Sequence, residues 1–251
     1  MSQPLPREPQ QRKSKRRRIA LAVLAAAALL LTCGLLLPCV QQVRDGEAWV
    51  YTASHMRQCA LAMHNYEFTY GHLPPAAAKD AQGHPLYSWR VLILPFIEQD
   101  DLYKQFHLDE PWDSRHNLTL LNKMPKTYDR PFGGRDGPGM TRLQVPVGPG
   151  SVFERDGLDL DQIPNGTERT ILIVESDTPV PWTMPADFTY DSEQSLPGFT
   201  MQTKGVRFLG REFWRERGFV LCFADAHTEF NHADSPESTI RARMRRASLE
   251  N

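Results

Sequence analysis

A run of 22 residues without a charged side chain, from Ile19 to Val40, is the feature that most constrains this chain. It directly follows a basic arm, residues 1–18, which contains seven Arg and Lys residues and one Glu. About 20 apolar residues in a helix, each rising about 1.5 Å, span the hydrocarbon core of a bilayer. Residues 19–40 are therefore predicted to form a transmembrane helix, with the lipid bilayer as partner.

The alternative for this run is a cleaved signal peptide, whose apolar core has only about 7–15 residues before a small-residue cleavage site. Because the run is longer and no A-x-A site follows Cys33 or Cys39, the uncleaved anchor is favoured. Lys and Arg next to a span favour the cytoplasmic side. We expect a single-pass protein of the inner membrane, with a cytoplasmic N-terminus and an extracytoplasmic C-terminal domain.

The distribution of formal charge argues against a nucleic-acid partner. The arm carries a net charge of +6, and because the whole chain carries −1, residues 19–251 carry −7. A domain with this balance repels a phosphate backbone. Outside the predicted span only Cys59 and Cys222 remain, so one disulfide or two plain core residues are the alternatives, and the core residues are favoured.

Residues 41–71 have the periodicity of a helix that buries one face. Apolar side chains recur there at spacings of four and three. They form a stripe of Trp49, Ala53, Met56, Ala60 and Met63. Gly71 is predicted to cap the end of this helix, and Pro74 follows as a stop.

The simplest interpretation is one long helix that crosses the membrane and then, as a stem over residues 41–71, packs on a head formed by residues 72–251. Pro38 is expected to kink this helix. The alternative is two helices separated by a break between Pro38 and Gly46.

The head is predicted to be α+β, with an antiparallel sheet. Residues 170–174 (TILIV) read as a central strand, because they are continuously apolar and β-branched. Residues 218–230 read as a hairpin with Phe219, Leu221 and Phe223 on one face. Short helices are expected between residues 88 and 125. A last helix is expected to be capped by Ser235–Pro236 and to carry Ile240 and Met244 on one face.

Histidines near the stem do not have metal-ligand spacing. His64 and His72 are not an i, i+4 pair, and His72 lies beyond Gly71. Partner-bonded structural histidines, His55 included, are therefore favoured over a metal site, and His64 is expected to bond the helix end to the loop that follows.

Two acidic clusters and one triad of residue types are the other site candidates. The clusters offer calcium the right ligand atoms but lack EF-hand spacing, so solvated acidic surfaces are favoured. Ser176, Asp225 and His227 have the residue types of a hydrolase triad, but the chain has no G-x-S-x-G motif. We therefore predict no catalytic, cofactor-binding or metal-binding residues. The clusters are Asp100, Asp101, Asp109, Glu110 and Asp113, and Glu154, Asp156, Asp159 and Asp161.

Several stretches spread over residues 50–245 follow one collinear pattern. They are residues 57–66 (RQCALAMHNY), 69–71, 73–75, 88–91 (SWRV), 94–95, 98–99, 102–103, Phe106, Asp113, Asn117, 165–167, 170–172, 180–182 and 223–225. This pattern resembles the domain of unknown function 1559 family, which is abundant in planctomycetes and includes many prepilin-like envelope proteins. The resemblance implies a pseudopilin-like layout, in which an N-terminal helix anchors the chain and packs on an antiparallel sheet, with no established enzyme activity.

The chain departs from the family pattern at two places. Prepilins carry Gly before Phe-Thr-Leu-Ile-Glu, whereas Arg18 precedes the apolar run here and the Glu is missing, so peptidase processing and fibre formation are not expected. In the C-terminal motif, Arg215 replaces a His and Ala226 replaces the Gly of an Asp-Gly turn. Since that turn position prefers φ > 0, a bulged or longer turn is expected.

These observations predict a membrane-anchored, non-catalytic, pilin-like protein that acts in cell-envelope assembly or interaction. The alternatives are an extracytoplasmic module that binds peptide, glycan or calcium through the loops of residues 131–161, and an envelope hydrolase. A shallow, loop-lined depression would favour the binding module, and a deep pocket with clustered titratable groups would favour the hydrolase. An exposed apolar stripe from Trp49 to Met63 would favour assembly.

Overall fold

The structure is a computed structural model, and it describes residues 10–129, 136–191, 194–208 and 211–246. Within these ranges, the side chains of residues 10–16, 33–47, 206–208 and 211–213 lie outside the description.

The described elements combine one long helix, a central antiparallel sheet and short helices, which confirms the predicted α+β class. In chain order they are α1 (Gln10–Tyr70), β1 (Ala77–Lys79), β2 (Pro85–Ser88), α2 (Trp89–Leu92), a 3₁₀ helix (Leu94–Ile97), α3 (Asp100–Tyr103), 3₁₀ helices (Asn117–Lys123 and Lys126–Tyr128), β3 (Met140–Gln144), β4 (Pro146–Val147), a 3₁₀ helix (Leu160–Gln162), β5 (Ile171–Pro181), β6 (Phe188–Thr189), β7 (Gln202–Phe208), β8 (Arg211–Phe223), β9 (Thr228–His232) and α4 (Glu237–Met244).

The backbone of α1 is helical without interruption from the basic arm to the head, so the alternative of two helices broken between Pro38 and Gly46 is wrong. The helix ends as predicted. Gly71 has φ +78°, and its N–H donates to the carbonyl of Glu67 at 2.7 Å. A left-handed residue at this position favours Gly, because Gly has no Cβ to clash.

The N-terminal half of α1 exposes apolar side chains all round. The described side chains of residues 17–32 are all exposed. The largest apolar ones, each at least 62% exposed, are Ile19, Leu21, Val23, Leu24, Leu29, Leu30 and Leu31.

Among the side chains that the structure describes, none of the helices combines enough length with enough apolar character to cross a bilayer. The side chains of residues 33–40 of the predicted transmembrane helix, and residues 1–9 of the basic arm altogether, lie outside the described part. The transmembrane helix and the division of the chain into arm, span, stem and head stay predictions.

The C-terminal half of α1 packs on the head, and the predicted apolar stripe is confirmed. Met56, Ala60 and Met63 are fully buried, and Ala53 is 7% exposed. Trp49 is partly buried, with its ring centroid 5.8 Å from that of Phe230. The stripe faces β5, β7, β8 and β9, so it belongs to the core and is not an exposed surface.

The main sheet has the strand order β3-β5-β8-β7, and β9 pairs with β8. All of these pairs are antiparallel. Residues 171–174 of β5 are fully buried between β3 and β8, which confirms the predicted central strand. The two smaller sheets are the antiparallel pair β1-β2 and the parallel pair β4-β6.

Alternate residues of β8 face two different hydrophobic clusters, as expected for a strand buried on both faces. Phe219, Leu221 and Phe223 lie in one cluster, as predicted. This cluster also contains Ile240 and Met244 of α4. Val220 and Cys222 belong to the cluster that includes the stem. The sheet therefore lies between the stem and α4.

The turn between β8 and β9 accepts Ala in a left-handed conformation. Ala226 has φ +68°, and its N–H donates to the carbonyl of Phe223 at 2.9 Å. The N–H of Phe223 in turn donates to the carbonyl of His227 at 2.9 Å. The predicted hairpin is thus confirmed, and Ala226 adopts the left-handed conformation that normally favours Gly.

Helix boundaries in the head differ from the predictions in two places. The helix expected from Asp113 or Ser114 is a 3₁₀ helix, Asn117–Lys123, because the side chain of Asn117 bonds to the carbonyls of the preceding loop, including that of His107 at 2.9 Å. At the last helix Pro236 itself is the N-cap, so the helix begins one residue later than predicted.

Burial of the stem predicts a strong contrast between two positions on α1. Ala60→Asp places a carboxylate at a fully buried position without a partner, and we expect it to lower the free energy of unfolding by about 3–5 kcal/mol or to prevent folding. Ser54→Asp, at an exposed position of the same helix, is the control and should change it by less than about 0.5 kcal/mol. Chemical denaturation of both variants measures this difference, and equal stabilities would contradict the packing of the stem on the head.

Candidate functional site

The S-W-R motif at residues 88–90 forms the centre of a buried polar network. Arg90 is fully buried, and its Nη2 lies 2.8 Å from Oδ1 of Asp187. Nη2 and Nε also donate to the carbonyl of Leu143 at 2.6 and 2.8 Å, and Nη1 donates to Oγ of Ser88 at 2.6 Å. The guanidinium therefore bonds on all three of its nitrogens inside the protein.

Asp187 is the acceptor on which this network converges. Besides Arg90, its Oδ1 accepts from Nε1 of Trp89 and from the N–H of Val145, both at 3.0 Å. Burial raises the pKa of Asp187, while the charge of Arg90 and these donors oppose the rise. The network joins α2, the β3–β4 connection and the segment before β6, and because it is sealed from solvent we interpret the motif as structural.

Two tryptophans lie beside this network. Trp89 and Trp182 are fully buried. The hydroxyl of Tyr128 donates to the carbonyl of Arg90 at 2.7 Å, and its ring stacks on Trp182 at 5.8 Å. The aromatic packing thus supports the buried ion pair from one side.

Cys59 and Cys222 are buried free thiols in the described part of the chain, so the disulfide alternative is wrong. Burial raises the pKa of Cys59 to about 12 and raises the pKa of Cys222 as well. Thiols with such pKa values are poor nucleophiles, which fits the preferred interpretation as core residues.

His64 has a structural partner, but not the predicted one. Its Nε2 donates to the carbonyl of Ala224 at 2.7 Å, so it ties α1 to the β8–β9 hairpin rather than to the loop after the helix. Within the described residues, His, Cys, Asp and Glu side chains do not gather in groups of three or more that could hold a metal ion.

The acidic clusters do not converge on one point. In the second cluster, Asp156 pairs with Lys79 at 2.7 Å and Glu154 pairs with Arg246 at 2.9 Å. In the first cluster, Asp100 pairs with Lys104, which lies four residues further along the chain. These carboxylates form separate ion pairs on the surface.

The structure brings together only two of the three residues considered as a hydrolase triad, Asp225 and His227. Nδ1 of His227 lies 2.5 Å from Oδ1 of Asp225 in the β8–β9 turn. Ser176 is far from this pair. Ile171 of β5 pairs with Phe223 beside the turn, and Ser176 lies five residues further along β5, or about 16 Å. Oγ of Ser176 accepts from the N–H of Thr178 at 3.2 Å. This arrangement does not form a nucleophile–base pair.

A polar depression lies on the head between the stem, β3 and β5, and the sequence analysis missed it as a site. It is partly open to solvent and is lined by Thr52, His55, Tyr128, Asp129, Asp136, Met140, Arg142, Leu143 and Glu175. These residues come from four separate stretches of the chain, so their spacing carries no signal in the sequence. His55 is predicted from the sequence only as a partner-bonded structural histidine.

The arrangement of charges in this polar depression is set by Arg142. Its Nε and Nη2 donate to the two carboxylate oxygens of Asp136, each at 2.6 Å. Its Nη1 donates to the backbone carbonyls of Ser176, at 3.4 Å, and of Asp177. Glu175, 2% exposed, lies on the neighbouring strand. The depression is therefore polar, with its one lining guanidinium already bonded.

The buried ion pair of the S-W-R motif yields a prediction with a matched surface control. Arg90→Met leaves the carboxylate of Asp187 buried without its cation, and we expect a loss of about 3–5 kcal/mol in the free energy of unfolding. Lys79→Met removes the cation of the exposed Lys79–Asp156 pair and should cost at most about 1 kcal/mol. Denaturant titration of both variants checks this, and a small loss for Arg90→Met would refute the structural role of the pair.

Comparison with known proteins gives a family match alone. No curated protein and no solved structure matches the chain significantly. The model of the family described as "Protein of unknown function (DUF1559)" matches residues 53–147, which include the buried face of the stem, the S-W-R motif and β3. This match covers less than half of the 251 residues, and it confirms the family predicted from the sequence. Over residues 53–147 the chain is similar to the DUF1559 family, in agreement with the resemblance seen in the sequence.

Proposed function

We propose that this protein is a membrane-anchored, non-catalytic envelope protein of pilin-like layout, which displays its head on the extracytoplasmic side of the inner membrane. The observation that carries the proposal is the contrast between the two halves of α1. Its C-terminal half buries an apolar stripe in the head, whereas the apolar side chains of residues 19–32 are exposed all round.

Apolar side chains exposed at this density must be shielded from water by another apolar surface. Fully burying one Leu, Ile or Val side chain contributes about 1.5–3 kcal/mol, and seven such side chains between Ile19 and Leu31 are at least 62% exposed. A helix that is apolar on all faces is typical of a buried or membrane-embedded helix. The uncharged run continues to Val40, long enough for the hydrocarbon core, so lipid is the cover that we propose.

The charge distribution supports the proposed orientation. Arg17 and Arg18 come directly before the run, at the end of an arm with a net charge of +6. Such a cluster keeps the segment that carries it on the cytoplasmic side of the membrane. The remainder of the chain would then lie outside, where Lys and Arg are not needed for topology.

The layout supports display of the head rather than growth of a fibre. A helix that packs on an antiparallel sheet is the arrangement that a pilin-like protein requires, and the stem has it. However, the stripe from Trp49 to Met63, which would have favoured assembly if exposed, is buried in the head. We therefore propose interaction through the head as the role.

A binding module is the second candidate function, and one observation favours it. The polar depression is partly open to solvent, and Asp136, Met140, Arg142 and Leu143 of its lining come from residues 131–161, the region expected to bind ligand. This candidate is compatible with a membrane anchor, since the depression lies on the head.

Membrane attachment is tested on the full chain expressed in a Gram-negative host. The wild type should remain in carbonate-washed membranes with an intact N-terminus by mass spectrometry, and its head should be cleaved by protease added to spheroplasts. Ala26→Arg with Leu30→Arg should move the protein out of the membrane pellet, because each Arg near a span centre costs about 2.5–3.5 kcal/mol.

The matched control carries the same two charges on the exposed face of the stem, as Ser54→Arg with Leu61→Arg, and should stay in the membrane. Recovery of the wild type in the soluble fraction would contradict the proposal, and so would a head that is protected from external protease.

A further inference from the structure

We propose that an aromatic patch at the C-terminal end of the stem binds a carbohydrate, through the flat C–H face of a gluco-configured pyranose ring. The patch consists of Tyr66, Tyr70, His72, Phe96 and Tyr103. This inference does not depend on membrane anchoring. It rests on the arrangement of the rings and on hydroxyl groups that the protein leaves open to solvent.

The rings of the aromatic patch contact one another and form a continuous surface. Tyr66 and Tyr70 lie one turn apart at the end of α1, with ring centroids 4.4 Å apart. Phe96, in the 3₁₀ helix Leu94–Ile97, lies edge to face against both, at 5.9 Å from Tyr66 and 6.3 Å from Tyr70. The ring of His72 is 5.9 Å from that of Tyr66. Contacts between the end of the stem and the 3₁₀ helix therefore hold the rings in place.

The aromatic patch is accessible from outside the protein. Tyr70 is 56% exposed, and Tyr66, His72, Phe96 and Tyr103 are partly exposed. Large aromatic side chains contribute most when they are buried in a core or at an interface. A cluster of them at the surface is typical of a binding surface, whereas a single exposed ring is not informative.

The patch also carries hydroxyl groups that are not used inside the protein. Within the described part of the chain, the hydroxyls of Tyr66, Tyr70 and Tyr103 have no hydrogen-bond partner, and none of the three is enclosed. Burial raises the pKa of Tyr66, and the side chains of Tyr70 and Tyr103 raise it further, as expected for hydroxyls that lie near one another. A protonated phenol both donates and accepts, so the patch offers donors and acceptors beside its rings.

The aromatic patch suits an uncharged ligand. The raised pKa values of Tyr66 and Tyr103 keep their hydroxyls protonated at pH 7. Glu67 is the one acid among residues 66–70, and its Oε1 accepts from the N–H of Leu160 at 2.6 Å. Its carboxylate is therefore directed at another loop. The net charge of −7 on residues 19–251 disfavours a nucleic acid, whose bases would otherwise stack on such rings.

A carbohydrate matches the geometry better than other ligands of aromatic surfaces. A proline-rich peptide docks into grooves between aromatic side chains, and a quaternary ammonium ion sits inside a cage of rings. The rings of the patch contact one another, so they leave neither a groove nor a cage between them. A gluco-configured pyranose needs neither, because its equatorial substituents leave C–H faces that lie flat on a ring while its hydroxyls bond to groups at the rim.

The experiment uses the full chain in lipid nanodiscs. Cellotetraose is titrated while the ring resonances of Tyr66 and Tyr70 are followed by NMR. Sorbitol is the probe that has hydroxyls without a pyranose face, and decaproline is the probe for a peptide. We expect saturable shifts with cellotetraose and none with sorbitol or decaproline.

Three results would overturn the proposal. The first is the absence of saturable shifts with cellotetraose. The second is a saturable shift of equal size with sorbitol or decaproline. The third is a shift that depends on protein concentration without any sugar, which would show that a second copy of the chain covers the aromatic patch.

Variants then test the residues. Tyr70→Ala removes an exposed ring and its hydroxyl, and it should weaken binding of cellotetraose by about tenfold in calorimetry. The matched control is Phe68→Ala, which removes a ring that is 94% exposed on the opposite side of the same helical turn and should leave the affinity unchanged. Equal losses in the two variants would overturn the assignment to the patch. If Tyr70→Ala does not fold, the comparison of the three probes on the wild type still decides.

Discussion

The buried ion pair of Arg90 and Asp187 is the interaction on which the head depends. It joins residues 97 positions apart in the chain, and its two side chains also bond to the backbone of Leu143 in β3 and of Val145 just before β4. Removing two charges from water is costly, and only a nearly complete set of hydrogen bonds offsets that cost. The network meets this condition, since it bonds all three nitrogens of Arg90 and supplies three donors to Asp187. Any other docking of α2 against the sheet would leave a charge unpaired, so the pair specifies one arrangement.

The stem shares its buried face with this network and continues into a part of α1 with the opposite character. Cys59 and Met63 lie in the same hydrophobic cluster as Trp89. About ten turns closer to the N-terminus, apolar side chains such as Leu24 point outward on every face of the same helix. The same continuous helical backbone thus joins a half packed on the head to a half with exposed apolar side chains.

Much of the fold could be predicted because its signals are local. The stripe on the stem, the β-branched run beginning at Ile171 and the strained turn at Ala226 each depend on side-chain period or on one backbone angle. The 3₁₀ helix at Asn117 was predicted as a longer helix because side-chain bonds to a preceding loop leave no periodic trace. The partner of Arg90 and the polar depression were missed for a related reason. Their members meet only after the strands have paired, and periodicity in one segment says nothing of a residue in another.

Native-state hydrogen exchange of the head, measured by NMR, tests the central claim most directly. The two protons to follow are the indole N–H of Trp89 and the amide of Val145, which both donate to Asp187. If the Arg90–Asp187 pair specifies the arrangement of the head, both protons exchange only through global unfolding, with an opening free energy equal to that of the slowest amides in β5. Exchange of either proton by a local opening of much lower free energy, while β5 stays protected, would contradict the account.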